Sequence, residues 1–108
     1  MSQPHTFVVV DPDGKRSAEA MGEVLRLSRE YQTGFDPANR EYQVTTQNPD
    51  FVEAVIALVR HNPDCVATHI EEILRIGPAG RMSDANGSRL SPDEFEAILE
   101  ERTVAHES

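Results

Sequence analysis

The chain has 108 residues, with 10 Lys and Arg against 19 Asp and Glu, and a formal net charge of -9 at pH 7. That length suits one domain with a modest core, and the acid excess excludes a general binder of nucleic acid or of anionic membrane, since both need clustered Lys and Arg. The single cysteine, Cys65, excludes an intramolecular disulfide framework.

The first six residues carry no basic region, and the apolar run Phe7-Val8-Val9-Val10 is too short for a signal peptide. No stretch approaches the ~20 apolar residues of a membrane span. A cytoplasmic setting is the expectation. Within His5–Val10 the β-branched and aromatic residues do not alternate with polar ones, which predicts a strand buried on both faces, as in a parallel sheet. Asp11-Pro12-Asp13-Gly14 marks a turn. Ser17 supplies an N-cap for an amphipathic helix over residues 17–31, with Ala18, Met21, Val24, Leu25 and Ser28 at three-four spacing. Residues 32–40, holding Gly34 and Asp36-Pro37, read as a loop. Residues 41–47 alternate Tyr42, Val44 and Thr46 against Glu41, Gln43 and Thr45, which predicts a second strand.

Asn48-Pro49-Asp50 then opens a helix: a side-chain cap, a proline at the first helical position and an acid in the first turn. The residues behind it, from Phe51 to Val59, are apolar except for Glu53, so this helix belongs in the core or at a subunit interface. Asn62-Pro63-Asp64 and Ser91-Pro92-Asp93 echo the same opening, which reads as convergent capping rather than as an internal repeat. Residues 65–70 fit a strand or the start of a helix over 65–76, because periodicity does not arbitrate at this length. Gly77-Pro78-Ala79-Gly80 breaks the chain, residues 82–90 read as polar loop, and Ser91-Pro92-Asp93-Glu94 forms a capping box for a last helix through Arg102. The predicted order is β-α-β-α-(β or α)-α: a single α/β domain over residues 1–108, with a short, mostly parallel sheet flanked by helices and a frayed tail at 103–108.

Phe7-Val8-Val9-Val10-Asp11, a helix, Tyr42-Gln43-Val44-Thr45-Thr46, and a helix ending Arg60-His61-Asn62-Pro63-Asp64 before an apolar run together resemble the first half of a response-regulator receiver domain. The resemblance covers roughly residues 7–70 and implies a shared α/β layout. It does not extend to phosphorylation: Asp11 and Asp13 are split by Pro12, and the third run ends in Thr68-His69 with no aspartate.

Under that layout the carboxyl ends of the strands carry Asp11 and Asp13, Gln47 and Asn48, and Thr68 and His69. Asp11, Asp13, Asn48 and His69 are therefore the candidate ligand-binding set, with turn-forming and helix-capping roles as the structural alternative. His61, Cys65 and His69 recur every fourth residue, with Glu72 as a fourth candidate ligand, but Asn62-Pro63 interrupts the helix that a zinc-like set needs. Asp84-Ala85-Asn86-Gly87-Ser88-Arg89-Leu90-Ser91-Pro92-Asp93-Glu94 resembles an EF-hand loop one residue short, lacking the turn glycine and an entering helix, and reads instead as an Asn-Gly turn before a capping box. Arg75, Arg81 and Arg89 form the one locally basic segment, suited to a phosphate or a carboxylate. No P-loop, GxGxxG, GxSxG, HExxH or CxxC motif occurs, and no metal or cofactor is expected.

The leading expectation is a small acidic regulatory, adaptor or accessory protein that acts by protein–protein interaction. It would form a homodimer through Phe51, Val55, Leu58 and Val59. From Ser91 onward, six carboxylates against Arg102 offer an acidic surface to a basic protein partner. The alternatives are a small ligand- or metal-binding enzyme subunit with its site at the strand ends, and an acidic nucleic-acid mimic that inhibits a DNA-binding protein.

Overall fold

A computed structural model describes residues 5–12, 14–82 and 87–104. In chain order the elements are β1 (His5–Val10), α1 (Lys15–Ala20), α2 (Gly22–Glu30), β2 (Gln32–Asp36), β3 (Glu41–Thr46), α3 (Pro49–His61), β4 (Cys65–Ile70), β5 (Ile73–Pro78), α4 (Ala79–Met82), β6 (Ser88–Leu90) and α5 (Pro92–Val104). The six strands form one mixed sheet in the order β2-β3-β1-β5-β4-β6. Only β1 and β5 run parallel; the other four pairings are antiparallel. The α/β class holds, but the mostly parallel sheet and the receiver-like order do not. β3 returns beside β1 as its antiparallel neighbour, and β4 turns straight back into β5 through a two-residue hairpin in which Glu71 takes φ 55°.

Local signals explain the starts of α3 and α5. Asn48 Oδ1 accepts the Asp50 N–H at 2.9 Å and Pro49 occupies the first turn of α3. At α5 the capping box closes in both directions: Ser91 N–H donates to Glu94 Oε1 and Glu94 N–H donates to Ser91 Oγ, each at 3.1 Å. The expected helix over 17–31 is two helices, α1 and α2, that meet at Met21, whose side chain is fully buried. Its N-cap is Gly14 at φ 94° rather than Ser17, whose carbonyl instead accepts the Met21 N–H inside α1. Gly22 follows Met21, and a glycine in a helix interior weakens the continuation. Asn62-Pro63-Asp64 leads into β4 and not into a helix.

Helices α2, α3 and α5 lie on one face of the sheet. There Phe7 and Val9 of β1, Leu74 and Ile76 of β5, and Cys65 and Ala67 of β4 share one core with Val24 and Leu27, Phe51 and Val55, and Phe95 and Leu99. Phe7 and Phe51 stack with centroids 5.2 Å apart at its centre. Among the described residues, the other face bears no long helix. It presents three rows across the strands, set by register. Glu41, Val10, Gly77 and Val66 form the first; Gln43, Val8, Arg75, Thr68 and Arg89 the second; Thr45, Thr6, Ile73 and Ile70 the third. Short α4 roofs only the first row, where Met82 clusters with Val10 and Val66.

Candidate functional site

The antiparallel turns scatter the candidate set. Because β3 and β4 both run opposite to β1, Asp11 ends one edge of the sheet while Asn48 and His69 follow the opposite one. Asp11 accepts from Arg40 at 3.3 Å, and its N–H donates to the Arg40 carbonyl at 2.8 Å. Asp13 lies outside the described residues. Asn48 is used up locally: besides capping α3, its amide donates to the Tyr31 hydroxyl at 2.9 Å, and its N–H donates to Thr46 Oγ1 at 3.0 Å. Gln47 is exposed between β3 and α3. His69 points to the helix-covered face of β4, partly buried, with Nε2 shielded and without a hydrogen-bond partner among the described residues.

His61, Cys65, His69 and Glu72 do not come together either. His61 ends α3 exposed, Cys65 is buried at the start of β4, and Glu72 sits in the β4–β5 hairpin. Among the described residues no three His, Cys, Asp or Glu groups are placed to hold a metal ion. The EF-hand-like stretch is split: residues 84–86 fall outside the described set, Ser88–Leu90 forms β6, and Glu94 is committed to the capping box.

Phe51, Val55, Leu58 and Val59, expected at a subunit interface, close the core of the chain itself; Phe51 and Val55 are fully buried. The apolar excess of α3 is explained by its position, packed between α2, α5 and the sheet. The acidic stretch is also partly spent inside the fold. Asp93 bridges Arg60 at 2.9 Å, Glu96 pairs with the same guanidinium, and Glu94 caps α5.

A cleft of about 590 Å³ opens where α3 and β6 end and β4 and α5 begin, lined among others by Arg60, His61, Cys65, Arg89 and Ser91. Its nucleophile is inert. Burial pushes the Cys65 thiol up to about 11, with the Asp64 carboxylate adding to the effect. Thiol labelling of the native chain at pH 8 is therefore expected to wait on unfolding and to accelerate steeply with urea; prompt labelling in plain buffer would contradict the burial. The folded chain holds this proton more tightly than the unfolded one. Its contribution is complete below the ordinary thiol value of 9.0 and is lost as pH rises through about 11, on the order of 3 kcal/mol in all. Urea titrations of wild type and Cys65→Ala at pH 8 and above pH 10 check this, the variant losing that part of the slope.

Sequence reasoning singled out Arg75 and Arg89 but not what surrounds them. Arg75 reaches across β1 to Glu41, donating at 2.6 and 3.4 Å, in an ion pair that is mostly buried. Thr68 stands directly between Arg75 and Arg89 in register. The side chain of Arg81 lies outside the described residues. Beside this row, Ile70 and Ile73 face each other across the hairpin, 36% and 37% exposed. Among the described residues no helix is long and apolar enough to cross a membrane. Comparison with protein-family models, with curated proteins and with solved structures finds no match to this chain.

Proposed function

We propose that this chain is a small acidic cytoplasmic regulatory or accessory protein that works by protein–protein interaction, with the face of its sheet opposite α2, α3 and α5 as the contact surface. The observation that carries this reading is the third row of that face. Ile70 and Ile73 are adjacent and left uncovered by α4, and among the described residues they are, with Phe35 of β2, the exposed large hydrophobics. On the helix-covered face the apolar residues of α3 that point to the sheet are spent on the core, and Phe35 of β2 is stacked on Tyr42 of the neighbouring strand.

The first occupant to test is a second copy. Two chains of net charge -9 repel, so an apolar contact between them is expected to tighten as salt screens that repulsion. Light scattering coupled to size-exclusion chromatography is expected to show a dimer that grows with salt and protein concentration. Ile73→Asp should abolish it while leaving the circular dichroism spectrum unchanged, because the position is exposed. A wild-type chain that stays monomeric in high salt, or an Ile73→Asp variant that still dimerises, would refute self-association through this face.

A further inference from the structure

Three donors converge in the middle row of the open face. Thr68 of β4 is flanked in register by Arg75 of β5 and Arg89 of β6, so all three side chains rise from the same side of the sheet. Thr68 is 5% exposed, and its hydroxyl is buried with no hydrogen-bond partner among the described residues. Arg75 gives its two terminal nitrogens to Glu41, which leaves its Nε–H buried and equally unmet. Arg89 is exposed on the edge strand and forms no ion pair among the described residues. A buried polar group without a partner carries the cost of its lost hydration, and here two such groups are immediate cross-strand neighbours.

We propose that Thr68, Arg75 and Arg89 form a carboxylate-binding site on the face of the sheet opposite α2, α3 and α5. Every unmet group can donate, so the missing partner is an acceptor. Glu41 already offsets the charge of Arg75, which leaves the single positive charge of Arg89 and matches a monoanion. A dianionic phosphate brings a second uncompensated charge beside Glu41 on a chain that is already strongly negative. Both unmet atoms are shielded from solvent, so the row opens to admit a planar carboxylate, which seats one oxygen against the Thr68 hydroxyl and the Arg75 Nε–H while the Arg89 guanidinium closes over the other from the sheet edge. The shared chemistry is the carboxylate, carried either by a small free acid or by an Asp or Glu side chain of a protein. The site rests on this row alone and stands whether or not the chain self-associates.

The test uses the full chain labelled with nitrogen-15. Sodium acetate is titrated against sodium chloride at matched ionic strength, and the Arg75 Nε–Hε and Thr68 amide resonances are followed. The expected result is a saturable response to acetate that chloride does not reproduce and that Thr68→Val and Arg89→Gln each weaken by roughly tenfold. Thr68→Val is also expected to raise the thermal midpoint in acetate-free buffer, because it removes an unmet hydroxyl at nearly constant volume. A response equal to that of chloride, tighter binding of inorganic phosphate than of acetate, or a lowered midpoint for Thr68→Val would each overturn the proposal. The blocked tripeptide acetyl-Ile-Glu-Ile-amide separates the two sources. Tighter binding than acetate supports the site as a receiver of a protein side chain, and equal binding supports it as a site for a free acid.

Discussion

Val55→Asp is expected to leave the chain unfolded at 25 °C rather than folded and monomeric. Val55 is fully buried among Phe7, Phe51, Leu74 and their neighbours in the main core. Removing its side chain from that environment forfeits about 1.5–3 kcal/mol of apolar burial. The carboxylate that replaces it adds several kcal/mol more, either as a desolvated charge or through the proton it must take up to stay neutral. Together these approach the whole stability of a domain this size, roughly 5–15 kcal/mol. Far-ultraviolet circular dichroism and urea titration check the outcome. A folded Val55→Asp chain of reduced mass would restore α3 as an interface and remove it from the core.

Gly77→Ala carries the second large cost. Gly77 stands in β5 between β1 and β4, in the row roofed by Met82. A Cβ there would lie 2.7 Å from Val10 Cβ and 3.2 Å from Met82 Sδ. The nearer atom is the root of a side chain on the neighbouring strand, so no rotamer change at Val10 moves it away. Relief requires β1 and β5 to separate or α4 to lift. Overpacking of this kind costs about 1–3 kcal/mol, offset only in part by the conformational freedom that alanine loses less of. A lowered urea midpoint at unchanged slope is the expected readout. Trimming the roof with Met82→Ala should return little of the loss, since the Val10 contact persists; full recovery would place the strain in α4 instead.

These effects depend on contacts that only the fold reveals, and the sequence was legible to different depths along the chain. Where a local rule is sufficient, it reads correctly: Asn48-Pro49-Asp50 opens α3, Ser91 and Glu94 cap α5, and the alternation of residues 41–46 forms β3. Strands that exist through their neighbours were invisible. β2 holds Gly34 and an exposed side chain at almost every position, so only its pairing with β3 makes it a strand. β5 ends in Gly77-Pro78, which reads as a break, yet it is central because β1 and β4 flank it on both sides. The parallel expectation failed for a related reason. An unbroken apolar run such as Phe7-Val8-Val9-Val10 suggests that both faces are covered, but here α4 with Met82 covers only Val10 on the second face, and Val8 stays partly buried in the unroofed row. The candidate site was legible only as a list of residue types. Arg75 and Arg89 could be named, but Thr68 between them and Glu41 opposite them follow from register, which no local pattern encodes.

The single parallel seam also dictates the order in which this domain can be assembled. The β2–β3 and β4–β5 hairpins are local and close cheaply, whereas Thr6 must find Ile73 across most of the chain, the costliest loop in the sheet. During synthesis, β1, β2 and β3 emerge with one edge of β1 bare, and they stay that way until residues 73–78 leave the ribosome. The domain therefore has no natural halfway point. Any fragment that stops short of β5 exposes its most apolar strand on an open edge, and once β5 and β4 are in place the edges pass to β2 and β6.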